Sequence, residues 1–127
     1  MKKEILHIEY PLNNASIPIL WKSIGTPLGL SEWFADGVTV EGDEYTFIWD
    51  DSEQTAKLLQ LKVNNFIRFQ WTDNAGTEDY FEIKITKESI TNELTLVVTD
   101  TVYKNEKEDT ILLWNKQIDE LRRKTGI

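Results

Sequence analysis

The chain has 127 residues and a mass of 14.8 kDa, the size of one domain with a single hydrophobic core. Hydrophobic residues make up 40% of it and aromatic residues 11%, which excludes a disordered chain, and the absence of cysteine excludes disulfides and thiolate metal sites. A net charge of -8 disfavours nucleic acid and anionic membrane surfaces as partners.

Alternating apolar residues predict a first strand over Glu4–Tyr10. His7, the only histidine, falls on the face opposite Leu6, which predicts a surface or edge role rather than that of a catalytic base. Pro11 and the pair Asn13-Asn14 are predicted to end the strand.

Two short helices are predicted next. Ser16 is placed to cap the first, which Gly25 ends, and Thr26-Pro27 begins a second that continues to Phe34. This cap also explains Asn14-Ala15-Ser16 better than a glycosylation site does. The apolar residues at helical spacing are Ile17, Leu20, Trp21, Ile24, Leu30, Trp33 and Phe34.

From Ala35 the apolar pattern changes to a period of two and predicts five or six consecutive antiparallel strands. Acidic residues cluster at Asp50–Glu53 and Asp73–Asp79, but neither spacing matches a calcium loop, so we predict turns and no metal site. Asn64-Asn65 is predicted to form a two-residue hairpin loop with both residues at positive φ. The apolar residues that line up along these strands are Tyr45, Phe47, Trp49, Leu59, Leu61, Val63, Ile67, Phe69, Trp71, Phe81, Ile83, Ile85, Leu94, Leu96 and Val98.

The last segment predicts one long amphipathic helix. Its apolar residues recur at a spacing of three, four and three, which puts them on one stripe. Acidic residues precede the stripe, while Arg122–Lys124 and then Gly126 follow it, as the helix dipole and a glycine cap favour. The stripe consists of Ile111, Trp114, Ile118 and Leu121.

These elements predict an α+β helix-grip fold, in which a curved antiparallel β-sheet of six to seven strands wraps around a long C-terminal α-helix, with two short helices after the first strand. We expect a single domain over residues 1–127. No stretch reaches the roughly 20 apolar residues of a membrane span, and Glu4, His7 and Glu9 interrupt the start of any signal peptide. The protein is therefore expected in the cytoplasm.

Several motifs resemble the START-like, or helix-grip, superfamily, which includes polyketide cyclases and homologues of the heat-shock-chaperone ATPase activator. Thr26–Phe34 is similar to the family signature threonine–proline–x–glycine–leucine–x–x–tryptophan–phenylalanine, and Ile67–Trp71 resembles a strand that ends in an aromatic residue, any residue and tryptophan. Trp114 with Gln117–Leu121 resembles the terminal helix. Activator homologues usually carry a glycine between the third and fourth strands, which Thr55–Val63 lacks, so the resemblance favours the wider superfamily.

The resemblance implies the fold but does not identify the function, since the superfamily contains binders, transporters, enzymes and cochaperones. Helix-grip relatives commonly keep a gap between the sheet and the terminal helix. We expect a binding module without catalysis or cofactor, which holds a small hydrophobic molecule in that gap; whether the aromatic side chains line a cavity or fill a solid core is left open. The candidate contacts are Trp33, Phe34, Tyr45, Phe47, Trp49, Phe69, Trp71, Phe81, Trp114 and Ile118.

Two other functions stay open. A protein-interaction or cochaperone-like domain would use an exposed apolar patch, and a homodimer could form through that patch or an edge strand. A cyclase- or hydratase-type enzyme would need a carboxylate or His7 pointing inward beside Arg68. Arg68 is instead expected on the convex face, paired with Glu82 or Glu44, although Arg68 or Gln70 on the concave face would orient a ligand. The residues predicted for the patch are Trp21, Leu28, Leu30 and Trp33.

Overall fold

A computed structural model describes residues 3–12 and 15–126. They form a curved antiparallel sheet of seven strands, two short helices after the first strand, and a long C-terminal helix, as the sequence predicts. No helix within these ranges is long and apolar enough to cross a membrane. The elements are β1 (Lys3–Leu12), α1 (Ile17–Gly25), α2 (Pro27–Trp33), β2 (Gly37–Glu41), β3 (Glu44–Trp49), β4 (Ser52–Lys62), β5 (Phe66–Trp71), β6 (Phe81–Lys87), β7 (Leu94–Tyr103) and α3 (Lys107–Thr125).

The strands lie in the order β1-β7-β6-β5-β4-β3-β2, so β1 and β2 are the edges of the sheet. β1 continues past its predicted end to Leu12, and Pro11 pairs with Thr95 of β7. An edge strand tolerates proline because its outer side needs no hydrogen-bond donor. The turn predicted at Asn13-Asn14, and with it the glycosylation acceptor, lies outside the described residues.

The two short helices begin as predicted. Ser16 Oγ accepts a hydrogen bond from the Ile19 amide at 3.4 Å, and Thr26 Oγ1 accepts one from the Gly29 amide at 3.0 Å. Gly29 also sets how closely the helices pack, because a Cβ there would lie 1.9 Å from the Lys22 carbonyl oxygen. This contact gives a physical reason for the glycine of the threonine–proline motif.

Two details of β4 differ from the sequence predictions. The β4–β5 loop has three residues, 63–65, and Asn64 alone of the predicted pair has a positive φ, 65°. A three-residue loop needs just one left-handed residue, which is why the two-residue prediction was wrong. A register shift between Leu58 and Gln60 also interrupts the alternation predicted along β4, and Leu59, Leu61 and Val63 are exposed.

α3 lies on the concave face of the sheet, with Trp114, Ile118 and Leu121 buried against it. Two polar contacts near the middle of the helix hold it in place: the Tyr10 hydroxyl of β1 donates to Asn115 Oδ1 at 2.7 Å, and Gln117 Nε2 donates to the Phe34 carbonyl at 3.1 Å. Burial raises the pKa of Tyr10 to about 12, so this hydroxyl stays protonated and remains a donor. The sheet and the helix therefore meet over a fixed interface.

Candidate ligand-binding clefts beneath the C-terminal helix

Aromatic side chains occupy the centre of the interface between α3 and the sheet. The ring of Phe34, just after α2, lies 4.9 Å from that of Phe47, 5.9 Å from Phe81 and 5.8 Å from Trp114, measured between ring centroids. These separations are those of rings in direct contact. The helix, the sheet and the end of α2 thus share one aromatic cluster.

The ten residues predicted to contact a ligand divide into two groups. Four of them pack inside the core and line none of the clefts described below: Tyr45, Phe47, Phe69 and Ile118. The other six line clefts that open along α3: Trp33, Phe34, Trp49, Trp71, Phe81 and Trp114. The structure thus brings the six together at the surface of the aromatic cluster.

The first opening, which we call the inner cleft, has a volume of about 220 Å³. Five of its lining residues are aromatic: Phe34, Trp49, Trp71, Phe81 and Trp114. The others are Gln54, Asp100, Thr110, Leu113 and Gln117. An engineered apolar cavity of about 150 Å³ holds benzene, so the inner cleft has room for a ring-sized group.

A larger opening of about 640 Å³, the outer cleft, adjoins the inner one. The two clefts share Phe34, Trp49, Leu113 and Gln117. The outer cleft extends between the segment after α2 and the C-terminal half of α3, where it is lined by charged side chains of both signs: Glu32, Asp36, Lys116, Glu120, Arg123 and Lys124. Its volume lies in the usual range for small-molecule sites, roughly 300–1,000 Å³.

A third opening of about 210 Å³, the lateral cleft, lies on the other side of the inner cleft, with which it shares Trp71, Asp100 and Thr110. Most of its remaining lining is polar or charged. Lys3 donates to Asp79 here in a close ion pair, and Glu106 lies at the start of the C-terminal segment. Along α3, the lining therefore changes from charges of both signs, through aromatic rings, to a predominantly acidic group.

Asp100 is the carboxylate that lines both the inner and the lateral cleft. It pairs with Leu6 in the β1–β7 register and shares the concave face with Val98. Its Oδ2 accepts a hydrogen bond from Trp114 Nε1 at 2.9 Å, and its Oδ1 accepts one from the Thr101 amide at 2.8 Å. Burial nevertheless raises the pKa of Asp100 above its ordinary value, because the two donors and nearby Lys3 only partly offset the loss of water.

Asp100 is not among the residues predicted to contact a ligand, although the alternation along β7 contains a signal for it. Leu94, Leu96 and Val98 define the apolar phase of β7, and Asp100 is next in that phase. A carboxylate in the buried phase of a strand is costly unless something offsets the charge. It could therefore have been identified as a candidate from the alternation alone.

A backbone carbonyl supplies the other fixed polar group near the inner cleft. The Phe34 carbonyl follows α2 and accepts hydrogen bonds from Trp49 Nε1 at 3.2 Å and from Gln117 Nε2 at 3.1 Å. These bonds orient Trp49 and Gln117, both of which line the inner and outer clefts. The polar lining is thus held in place before any ligand is present.

Arg68 lies on the convex face, as predicted, and pairs with Glu82. Arg68 Nη2 donates to Glu82 Oε1 at 2.8 Å, and the guanidinium stacks over Tyr80 at 4.3 Å from the ring centroid. Gln70 shares this phase of β5 and donates to the backbone carbonyls of Thr77 and Asp79. Neither side chain lines the clefts, and His7 is exposed, with Nδ1 3.1 Å from Thr99 Oγ1.

The predicted apolar patch on the short helices is only partly exposed. Leu28 is 66% exposed and Trp21 half-buried, but Leu30 and Trp33 lie in the core, so the prediction was wrong for these two. Their burial follows from the turn of α2, which directs both side chains inward, and Trp33 Nε1 donates to the Ser23 carbonyl of α1 at 2.8 Å.

Comparison with known proteins identifies relatives along the whole chain. A family model described as a START-like superfamily domain matches residues 1–127. A Bacteroides fragilis protein solved by solution NMR is 41% identical over 97% of this chain and 91% of that chain, with a TM-score of 0.69. No curated protein matches the sequence.

Two more distant structures are similar in fold. DynU16, from the dynemicin biosynthetic locus, is 16% identical, and the match covers 94% of this chain and 46% of that longer chain with a TM-score of 0.77. The Aha1 dimer from Colwellia psychrerythraea is 18% identical over 91% of this chain and 94% of that chain, with a TM-score of 0.62. At these identities the likeness concerns the fold alone.

Proposed function

Since this chain belongs to the START-like superfamily, we propose that it binds a small hydrophobic molecule beneath α3, in the inner and outer clefts, without catalysis of its own. The observation that carries this proposal is the lining of the inner cleft, a partly open space of about 220 Å³ in which five of the ten lining side chains are aromatic. Apolar surface that a ligand covers there leaves water, which drives binding.

The volumes indicate the shape of the ligand. The inner cleft alone is smaller than the usual range for a drug-sized ligand, while the outer cleft, of about 640 Å³, lies within it. A ligand that fills both therefore has a ring-sized group among the tryptophans and a longer part that extends past Leu113 towards the C-terminal half of α3.

Leu113 offers a test that leaves the core intact. It is 58% exposed and lines both clefts, whereas Leu112, its neighbour on α3, is 65% exposed and lines neither. Leu113→Trp should fill the junction of the clefts, and Leu112→Trp is the matched control, with the same added volume on an adjacent exposed position.

The probe is N-phenyl-1-naphthylamine, a neutral dye whose fluorescence rises in apolar surroundings. We expect saturable binding to the wild-type protein and to Leu112→Trp, and at least about tenfold weaker binding to Leu113→Trp, a loss of about 1.4 kcal/mol. Native mass spectrometry of freshly purified protein would identify a co-purified ligand. Equal binding by the two variants, or no saturable binding to the wild type, would contradict the proposal.

A protein-interaction or cochaperone-like role is the second candidate. The exposed leucines Leu28 and Leu112, which line neither cleft, favour it, because such side chains at the surface are available to a partner. Partners that still bind Leu113→Trp in a pull-down would support this function over ligand binding. The predicted homodimer and the cytoplasmic location remain predictions, and light scattering coupled to size-exclusion chromatography would test the first.

An enzyme of cyclase or hydratase type has less support. Its predicted requirement was a carboxylate or His7 pointing inward beside Arg68. His7 is exposed, and Asp100 is inward while Arg68 lies on the opposite face of the sheet in an ion pair with Glu82. The acid therefore lacks the partner that the hypothesis named.

A further inference from the structure

We propose that the inner cleft selects ligands that carry a protonated amine, whose ammonium group pairs with the Asp100 carboxylate while an attached apolar body lies against the surrounding aromatic rings. This inference rests on the proposed ligand-binding function and names the chemical class of the ligand.

The position of Asp100 gives a ligand access to its carboxylate. The side chain lies on the apolar concave face, yet it lines both the inner and the lateral cleft. Each carboxylate oxygen accepts one hydrogen bond, from Trp114 and from the Thr101 amide. A carboxylate oxygen has two lone pairs, so each retains capacity for a further donor.

The charges of the lateral cleft favour a cation. Four of its lining side chains belong to acidic or basic residues that can be charged near neutral pH: Lys3, Asp79, Glu106 and Asp100. Lys3 pairs with Asp79, and among the described residues no ion pair involves Asp100 or Glu106. The cleft therefore holds an excess of negative charge, in a protein whose net charge is -8, and it repels an anion and attracts a cation.

The aromatic lining supports the same class of ligand. The half-buried rings of Trp49 and Trp71 line the inner cleft together with Asp100, and cations are attracted to the faces of such rings. A neutral alcohol could also donate to Asp100, but it would leave the half-buried negative charge unpaired. An ammonium group donates a hydrogen bond and also compensates the charge of the Asp100 carboxylate, so the site favours an amine over an alcohol.

The stability of the fold alone does not account for an acid at this position. Leucine or valine at other concave positions of β7 packs without burying a charge, as Leu96 and Val98 do. Burial raises the pKa of Asp100, which means that the ionised form is less favourable in the folded protein than in water. A cationic ligand would relieve this penalty on binding.

The test uses three probes with the same phenylpropyl body: 3-phenylpropylamine, which is protonated near neutral pH, the neutral 3-phenylpropan-1-ol, and the anionic 3-phenylpropionate. Isothermal titration calorimetry compares their affinities for the wild type, for Asp100→Asn and for Glu93→Gln. Glu93 is exposed, and it precedes Asp100 by seven residues, roughly 23 Å along an extended strand. Glu93→Gln therefore controls for the loss of one negative charge far from the clefts.

We expect the wild type and Glu93→Gln to bind the amine at least about tenfold more tightly than the alcohol, and the propionate most weakly. In Asp100→Asn the ratio of amine to alcohol affinity should fall to about one. A second measurement needs no variant: in the wild-type NMR spectrum, the amine should shift the resonance of the Trp114 indole N–H, which donates to Asp100, more than the alcohol does.

Equal affinities for amine and alcohol in the wild type, or an amine preference that survives in folded Asp100→Asn, would overturn the inference. If the alcohol binds with no preference for the amine, the proposed function stands and only this inference fails. If none of the three probes binds, both fail.

Discussion

Trp114 and Asp100 are joined by a hydrogen bond across the interface between α3 and β7, in which the indole Nε1 donates to the carboxylate Oδ2 at 2.9 Å. The bond orients a ring that lines the inner cleft and gives a half-buried carboxylate one of its two protein donors. The packing of the helix on the sheet and the chemistry of the cleft therefore depend on the same pair of residues.

Replacing this donor should weaken the fold. Trp114→Phe keeps an apolar ring but removes the indole N–H, and we expect the free energy of unfolding to fall by about 1–3 kcal/mol, because a buried acceptor loses a partner and the smaller ring leaves space. Urea unfolding followed by circular dichroism measures this loss. Trp49→Phe is the control, since its indole bond is longer, at 3.2 Å, and its ring is half-buried. A loss no larger than that of the control would contradict the expectation.

The raised pKa of Asp100 predicts how stability varies with pH. The folded protein holds this proton at higher pH than the unfolded chain does, so the wild type should lose stability relative to Asp100→Asn as pH rises from the ordinary value of 3.8 through the raised pKa. In Asp100→Asn an amide nitrogen also replaces one of the two carboxylate oxygens that accept hydrogen bonds. This change shifts the free energy of unfolding by an amount that does not depend on pH.

The free energy of unfolding is measured for the wild type and for Asp100→Asn across that pH range. In the difference between the two values, the contributions of the other titrating groups cancel. A difference that stays constant with pH, or that moves in favour of the wild type as pH rises, would show that burial does not disfavour the charge.

The close approach of α1 and α2 predicts a sensitive glycine. Gly29→Ala places a Cβ against the Lys22 carbonyl oxygen and should lower the free energy of unfolding by about 1–3 kcal/mol, since backbone rather than a flexible side chain must move. Gly37→Ala is the matched control, because the nearest atom to its Cβ would be 3.7 Å away. Thermal unfolding of both variants checks this, and equal melting temperatures would contradict the prediction.

The convex ion pair should affect stability but not binding. Arg68→Ala leaves Glu82, which is 8% exposed, without its cation, and we expect a loss of roughly 1–3 kcal/mol in unfolding free energy. The affinity for N-phenyl-1-naphthylamine should be unchanged, because Arg68 lies on the face of the sheet opposite the clefts. Dye titration of the folded variant measures this, and weaker binding would place Arg68 in the site after all.

Periodicity was enough to predict the architecture. The alternation in Phe66–Trp71 and the three-four-three stripe from Ile111 to Leu121 each report which side of an element is buried. The caps at Ser16 and Thr26 were equally readable, because they depend on residues that are close in sequence. The register shift in β4 could not be predicted from the sequence, because it depends on how β4 pairs with the neighbouring strands.

The candidate site was less predictable. The sequence identified an aromatic set, but it could not separate Phe47 and Phe69, which fill the core, from Trp49 and Trp71, which line the inner cleft, because all four share the apolar phase of their strands. What separates them is burial: Phe47 and Phe69 are fully buried, whereas Trp49 and Trp71 are half-buried, and this depends on how the whole molecule packs. Asp100 carried a local signal that was overlooked.

The central claim is that the clefts beneath α3 hold a ligand, and isotope-filtered NMR tests it most directly. With labelled protein and 3-phenylpropan-1-ol, we expect intermolecular nuclear Overhauser effects from the phenyl ring to Trp49, Trp71 and Trp114, residues that line the inner cleft. Effects confined to exposed Leu28 or to another surface outside the clefts, or the absence of any saturable change in these indole resonances, would contradict it.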